Sequence, residues 1–191
     1  MQKTNRIPDW LIEHKNDSAA YTKAAPLVEK MLRYGAYAKE YFDNTNTLPD
    51  LDDVNIDSQF ATYTSTVSDD LYSGATLSLK SQTTLSLYFT DEDEQTFTCV
   101  DKDGDERILE TVRDGSTQIA RIRNIAASEL QNSFTVTVNK GESILGTITF
   151  SPMNYCYRAL NGGTENENLI NVVKALVAYS DAANEFFKAG A

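Results

Sequence analysis

The sequence contains a single histidine, His14, among its 191 residues. A Ser-His-Asp or Cys-His mechanism would have to use that one imidazole as its base, and no nucleophile motif lies near it. A histidine-rich zinc site is excluded outright, because it needs several imidazole ligands. We expect His14 to be exposed to solvent.

Other signatures of catalysis are also missing. The sequence has no glycine-rich loop of the kind that cradles phosphate. Paired carboxylates can hydrolyse glycosides, but with 28 Asp and Glu residues such pairs arise by chance and nothing selects one of them. We therefore expect a protein that is not an enzyme and that carries no cofactor.

Cysteine is scarce as well. Cys99 and Cys156 stand 57 positions apart, which is no metal-binding spacing. They could form a disulfide, or they could be two separately buried thiols that behave as small apolar residues. The general tendency of free cysteine to be buried favours the second alternative, and the redox compartment stays open.

Positive charge and long apolar runs are both limited. With 17 Lys and Arg against 28 Asp and Glu, the formal net charge is -11, which argues against nucleic acid and against an anionic membrane surface as partners. No apolar run approaches the ~20 residues that span a bilayer. Residues 1–8 lack the apolar stretch of a signal peptide, so we expect an exported chain to be one piece of a longer protein.

Two stretches have the period of an amphipathic helix. Residues 17–42 repeat apolar side chains at three-and-four spacing, and Pro26 predicts that the helix proper starts near Ala25. A shorter helix is predicted at 9–15, and a loop at 44–49. The helical period returns after Pro152, with a short helix at 153–160 and a long amphipathic one from Leu169 to Phe187.

Between these stretches, residues 60–150 alternate apolar and polar side chains with a period of two. Seven or eight short strands are predicted, separated by turn signals such as Asp103-Gly104 and Asp114-Gly115. This spacing is typical of an antiparallel, Ig-like β-sandwich. The predicted fold class is thus α+β: one module over 1–191, with a helical segment at 1–48, a sandwich at 60–150, and helices at 152–191 that pack on the N-terminal helix.

The two long helices share a sequence pattern. At an offset of 145 residues, Tyr34 aligns with Tyr179, Ala38 with Ala183, and Glu40 with Glu185, and two aromatic residues follow each glutamate. Amphipathicity alone does not force these matches. We expect the two helices to pack against each other, with Tyr34 and Tyr179 at their contact.

Four segments together resemble a module that is common in large secreted proteins of gut Gram-positive anaerobes; they are residues 31–42, 74–80, 151–155 and 175–183. In those proteins the module often lies near Ig-like repeats, dockerins or carbohydrate-active domains. The resemblance covers about residues 25–188 and implies an extracellular location and a role beside polysaccharide-handling domains. It implies no catalytic residue. The chain departs from it at Tyr37, where a small residue is expected, and at Cys156.

An acidic segment raises the question of calcium. Asp101, Asp103 and Asp105 offer carboxylates at alternate positions, and oxygen ligands suit Ca²⁺. However, Gly104 is fourth in the segment, where an EF-hand loop needs its glycine sixth, and no glutamate follows at the twelfth position. A hairpin turn with Asp-Gly at its tip explains the segment without a metal.

Aromatic residues are the remaining candidates for binding. Tyrosine and tryptophan can stack on sugar rings, because they combine a flat apolar face with a polar edge. Most aromatic residues fit an apolar helix or strand face; those that do not are Trp10, Tyr37, Tyr72 and Tyr88. They are the predicted carbohydrate-binding residues.

The sequence therefore predicts a non-catalytic, monomeric module, and the resemblance implies that it is extracellular. Its expected partner is a polysaccharide, or neighbouring domains of the same secreted protein. The alternative is a structural, spacer or protein-docking module without a small-molecule ligand.

Overall fold

The computed structural model describes residues 18–79 and 83–188. These residues form three α-helices and two four-stranded antiparallel sheets, which confirms the predicted α+β class. They divide into two compact units, the first made of 18–54 and 166–188 and the second of 55–165. His14, Trp10 and the helix predicted at 9–15 lie outside the described residues.

The helices are α1 (Ser18–Asp43), α2 (Pro152–Arg158) and α3 (Glu167–Lys188). The start predicted near Ala25 is wrong, because α1 begins at Ser18 and continues through Pro26. Proline removes one helical hydrogen bond. Pro26 itself lies on an exposed side of α1.

In the first unit, α1 packs against α3. The rings of Tyr34 and Tyr179 are stacked, with centroids 6.0 Å apart and planes at 20°. The sequence repeat is not matched by equal burial. Glu40 on α1 is 7 % exposed, whereas its counterpart Glu185 on α3 is exposed.

The eight strands belong to the second unit. They are β1 (Thr64–Ser65), β2 (Tyr72–Ser78), β3 (Thr83–Thr90), β4 (Gln95–Val100), β5 (Leu109–Asp114), β6 (Thr117–Ile125), β7 (Phe134–Lys140) and β8 (Ser143–Phe150). One sheet has the order β1-β8-β7-β4 and the other β2-β3-β6-β5, and all their pairings are antiparallel. The arrangement is sandwich-like.

Alternation puts one face of each sheet into a common core. Leu85, Leu87 and Phe89 of β3 are fully buried, as are Val136 and Val138 of β7. The sheets meet where the rings of Phe89 and Phe97 lie 4.7 Å apart between centroids. The period-two pattern of the sequence therefore identified the residues that fill this core.

The segment after β8 differs from the prediction. Residues 152–191 were expected to join the N-terminal helix, but α2 belongs to the second unit and only α3 to the first. Ser151 caps α2 by accepting from the Met153 amide at 3.2 Å, and its hydroxyl donates to the Leu130 carbonyl at 2.9 Å. Asn154 donates to the carbonyls of Phe60 and Thr62. These bonds fix α2 beside the sheets, so the boundary falls at 165/166.

The two cysteines are free thiols, and both are buried. Burial raises the pKa of Cys99 to about 11 and that of Cys156 to about 12. Such thiols carry almost no thiolate at neutral pH and are therefore unreactive packing residues. The sequence left open a disulfide or two separately buried thiols, and the structure shows the second of these.

Candidate functional site

The predicted carbohydrate-binding residues are not brought together as one surface cluster. Trp10 lies outside the described residues. Tyr37 belongs to the first unit, and Tyr72 and Tyr88 belong to the second. Tyr37 and Tyr72 are buried, and Tyr88 is half-buried.

Tyr37 is 6 % exposed, so it is not the surface aromatic that the sequence predicted. Its hydroxyl donates to the carbonyl of Pro49 at 2.6 Å. The ring fills space beside α1, and its polar end holds the loop that follows this helix. Sequence periodicity missed this role because the bond spans a loop that has no regular period.

Tyr72 is also buried, contrary to the prediction. A β-bulge between Tyr72 and Gly74 shifts the alternation of β2, so that Tyr72 pairs with the inward residue Phe89. Its ring contacts those of Tyr63 and Phe89, at centroid distances of 5.9 and 5.5 Å. Its hydroxyl has no hydrogen-bond partner within the described ranges, and burial raises its pKa.

Tyr88 faces outward from the β2-β3-β6-β5 sheet. It pairs with Gly74 on one side and with Ile119 on the other, and Ile119 pairs in turn with Val112. Residues paired across antiparallel strands share a face of the sheet. The three side chains of Tyr88, Ile119 and Val112 thus form an apolar row, in which Tyr88 and Val112 are half-buried and Ile119 between them is 6 % exposed. Gly74 contributes no side chain, and the space where its Cβ would lie is open.

Hydroxyl groups surround this apolar row. The hydroxyls of Thr76 and Tyr88 share a hydrogen bond, with 3.0 Å between Oγ1 and Oη. Other residues of the same face, assigned by strand pairing, are Ser78, Thr84, Ser86, Thr90, Thr117 and Arg121, together with the acidic Glu110 and Asp114 on either side of Val112. We call this surface, from Gly74 on β2 to Val112 on β5, the outer face. It combines an apolar row with hydroxyls that both donate and accept hydrogen bonds, and it carries charged side chains on β5 and β6.

A cleft of about 410 Å³ lies at one end of the outer face. It is lined by Glu106, Arg107, Ile108, Glu110, Arg123 and Asn124. Arg123 forms an ion pair with Glu110, and Arg107 pairs with Glu129 at 2.8 Å. Ile108 is 93 % exposed. This cleft could not be predicted from the sequence, because it is built from a loop and two strands whose pairing is not encoded locally.

The acidic segment at 101–105 forms a turn. The Asp101 carboxylate accepts from the amides of Asp103 and Asp105 at 3.0 and 3.1 Å, and Lys102 donates to both carboxylate oxygens of Asp103. Gly104 has a φ of 85°, the conformation that a glycine permits at the tip. No group of three or more His, Cys, Asp or Glu side chains in 18–79 and 83–188 could hold a metal ion.

A second polar cluster lies in the first unit and has no periodic signal in the sequence. The Glu40 carboxylate accepts from the amide and the hydroxyl of Thr47 and from the Leu48 amide, and the Thr47 hydroxyl is the main reason that the pKa of Glu40 is lowered. Asn171 accepts from the Leu51 amide at 3.0 Å and donates to Asp50. These bonds fasten the loop after α1 to both helices, so this cluster stabilises the unit.

Comparison with protein-family models, with curated proteins and with solved structures found no match. Within the part of the chain that the structure describes, no helix is both long and apolar enough to cross a membrane.

Proposed function

We propose that this chain is a non-catalytic extracellular module that binds polysaccharide, or holds neighbouring carbohydrate-active domains on their substrate. The observation that carries the proposal is the outer face, where the half-buried Tyr88 and Val112 lie on either side of the buried Ile119, with threonine and serine hydroxyls towards β2 and charged side chains towards β5. A pyranose ring has an apolar face of C–H groups and a rim of hydroxyls. It can stack on the tyrosine while its rim bonds to the surrounding side chains.

The setting of Tyr88 favours binding by a preorganised surface. Its ring is half-buried between neighbours on the sheet, and its hydroxyl is held by Thr76. A side chain that is already fixed loses little conformational entropy when a ligand arrives. The open space above Gly74 leaves one side of the ring accessible.

We further propose that the sandwich is Ig-like. The order β2-β3-β6-β5 matches the ABED sheet of a constant-type Ig domain, and β4-β7-β8 matches its CFG sheet. In this assignment β1 is an extra strand beside β8, and α1 and α3 flank the domain in sequence. Domains of this class are frequent on cell surfaces, which agrees with the extracellular location that the sequence resemblance implies.

Affinity gel electrophoresis tests the proposed function. The protein is run through gels containing soluble starch, hydroxyethylcellulose, xylan or galactomannan, and we expect retardation by at least one of them. Tyr88→Ala should lose most of this retardation, because it removes the stacking ring. Tyr21→Ala is the matched control, since Tyr21 is 54 % exposed but lies on α1. If no polysaccharide retards the wild-type protein, the proposal is wrong.

The second candidate function is a structural or docking module. It is favoured by the cluster around Glu40 and Asn171, in which two buried polar side chains hold the loop after α1 in place. This function predicts that deleting the module from the full-length protein lowers the melting temperatures of its neighbouring domains. Unchanged melting of those domains would count against it.

A further inference from the structure

We infer that the cleft at the end of the outer face is a subsite for one neutral sugar ring of the bound chain. This inference rests on the proposed function and extends it from a stacking surface to a second point of attachment. The volume of about 410 Å³ is within the range of sites that take small ligands.

The lining offers what sugar hydroxyls require. Each hydroxyl both donates and accepts, and the cleft has donors on Arg107 and Arg123, acceptors on Glu106 and Glu110, and both kinds on Asn124. The ion pair between Arg123 and Glu110 holds a donor and an acceptor side by side. Two adjacent hydroxyls of a pyranose could bond to such a pair together.

The apolar part of the subsite is Ile108. An isoleucine that is 93 % exposed gains nothing from packing inside the fold, so its side chain is free to cover the C–H face of a ring. Its position in the cleft lining distinguishes it from the other strongly exposed isoleucine, Ile144, which is 68 % exposed on β8.

The charges of the cleft and of the whole chain indicate which class of sugar the subsite would bind. Two arginines and two glutamates in the lining cancel, so the cleft offers no net attraction to an anion. The whole chain carries a net charge of -11, which repels an acidic polysaccharide at long range. A neutral hexose or pentose unit therefore fits better than a uronate.

The cleft and the apolar row can be occupied by one chain. Arg123 follows Ile119 by four residues on β6, and the two side chains point to the same side of the sheet. At about 3.3 Å per residue they are roughly 13 Å apart along the strand. A single sugar cannot cover that span, whereas an oligosaccharide can.

The test compares two matched isoleucine variants of the full chain. On gels containing starch, hydroxyethylcellulose, xylan or galactomannan, Ile108→Ala and Arg123→Gln should each weaken binding about tenfold, the effect of losing one apolar contact or one charged hydrogen bond. Ile144→Ala should bind as the wild type does. A melting curve for each variant verifies that the fold is intact, and Tyr88→Ala is run in parallel.

The outcomes separate the subsite from the proposed function. If Tyr88→Ala abolishes retardation while Ile108→Ala and Arg123→Gln leave it unchanged, the subsite is wrong and the proposed function stands. If polygalacturonate or alginate retards the protein and the neutral polymers do not, the assignment to neutral sugar is wrong. If no polymer retards the wild type, both inferences fail together.

Discussion

Replacing Tyr72 by phenylalanine should stabilise the second unit. The ring of Tyr72 lies against Tyr63 and Phe89, whereas its hydroxyl is buried with no hydrogen-bond partner in the described residues. A buried hydroxyl without a partner costs about 1–3 kcal/mol. Phenylalanine keeps the ring contacts and removes that cost, so we expect the free energy of unfolding to rise by about 1 kcal/mol.

This gain is measurable by urea and thermal denaturation at pH 7. For a unit the size of residues 55–165, a gain of about 1 kcal/mol corresponds to a melting temperature roughly 4 °C higher. Tyr88→Phe is the matched control, because it removes a hydroxyl that bonds to Thr76 at 3.0 Å on the outer face. That variant should lose about 0.5 kcal/mol.

The same substitution has a signature in pH. Burial raises the pKa of the Tyr72 phenol above its ordinary value of 10.0. Above pH 10 the unfolded chain releases this proton while the folded chain retains it, so wild-type stability should fall as the pH rises. Tyr72→Phe lacks the group, and its advantage over the wild type should therefore grow between pH 8 and pH 11.

Two results would refute this reasoning. A loss of 1 kcal/mol or more in Tyr72→Phe would mean that the hydroxyl makes a favourable bond. An advantage that stays constant from pH 8 to pH 11 would mean that the phenol is not shielded from solvent.

Two further predictions concern other parts of the chain. The Thr47 hydroxyl lowers the pKa of Glu40, so the stability that this carboxylate provides should be lost as the pH falls below about 4.5 and through its folded-state pKa. Glu40→Gln should flatten that acid limb in pH-dependent denaturation, and an unchanged acid limb would contradict this account. Gly146→Ala should lower the free energy of unfolding by about 2 kcal/mol, because the added Cβ would lie 2.8 Å from a neighbouring backbone nitrogen. Gly35→Ala, on the open side of α1, should raise it by about 0.5–1 kcal/mol. Urea denaturation measures both, and equal effects would contradict this account.

The strands could be predicted because their information is local. In β3, Leu85, Leu87 and Phe89 alternate with polar residues, and this alternation alone identifies the buried side. The start of α1 could not be predicted in the same way. A proline normally marks the first turn, and no local signal in the sequence shows that α1 already begins at Ser18, ahead of Pro26.

The polar cluster around Glu40 and Asn171 could not be predicted from the sequence for a different reason. Glu40 accepts bonds from residues seven and eight positions later, and Asn171 bonds to residues about 120 positions earlier. No periodic pattern records such pairs. The repeat between the helices even suggested equal roles for Glu40 and Glu185, whereas burial makes one a structural carboxylate and leaves the other exposed.

The bulge in β2 explains why Tyr72 is not the surface residue that was predicted, whereas Tyr88 remains a candidate for carbohydrate binding. In a regular strand every second residue before the inward Leu77 would also point inward, which would leave Tyr72 on the outer face. The extra residue at the bulge instead turns Tyr72 inward against Phe89. The same bulge brings Gly74 opposite Tyr88, with a φ of 137° that few other residues adopt. One local irregularity therefore takes an aromatic ring away from the outer face and clears the space beside the ring that stays.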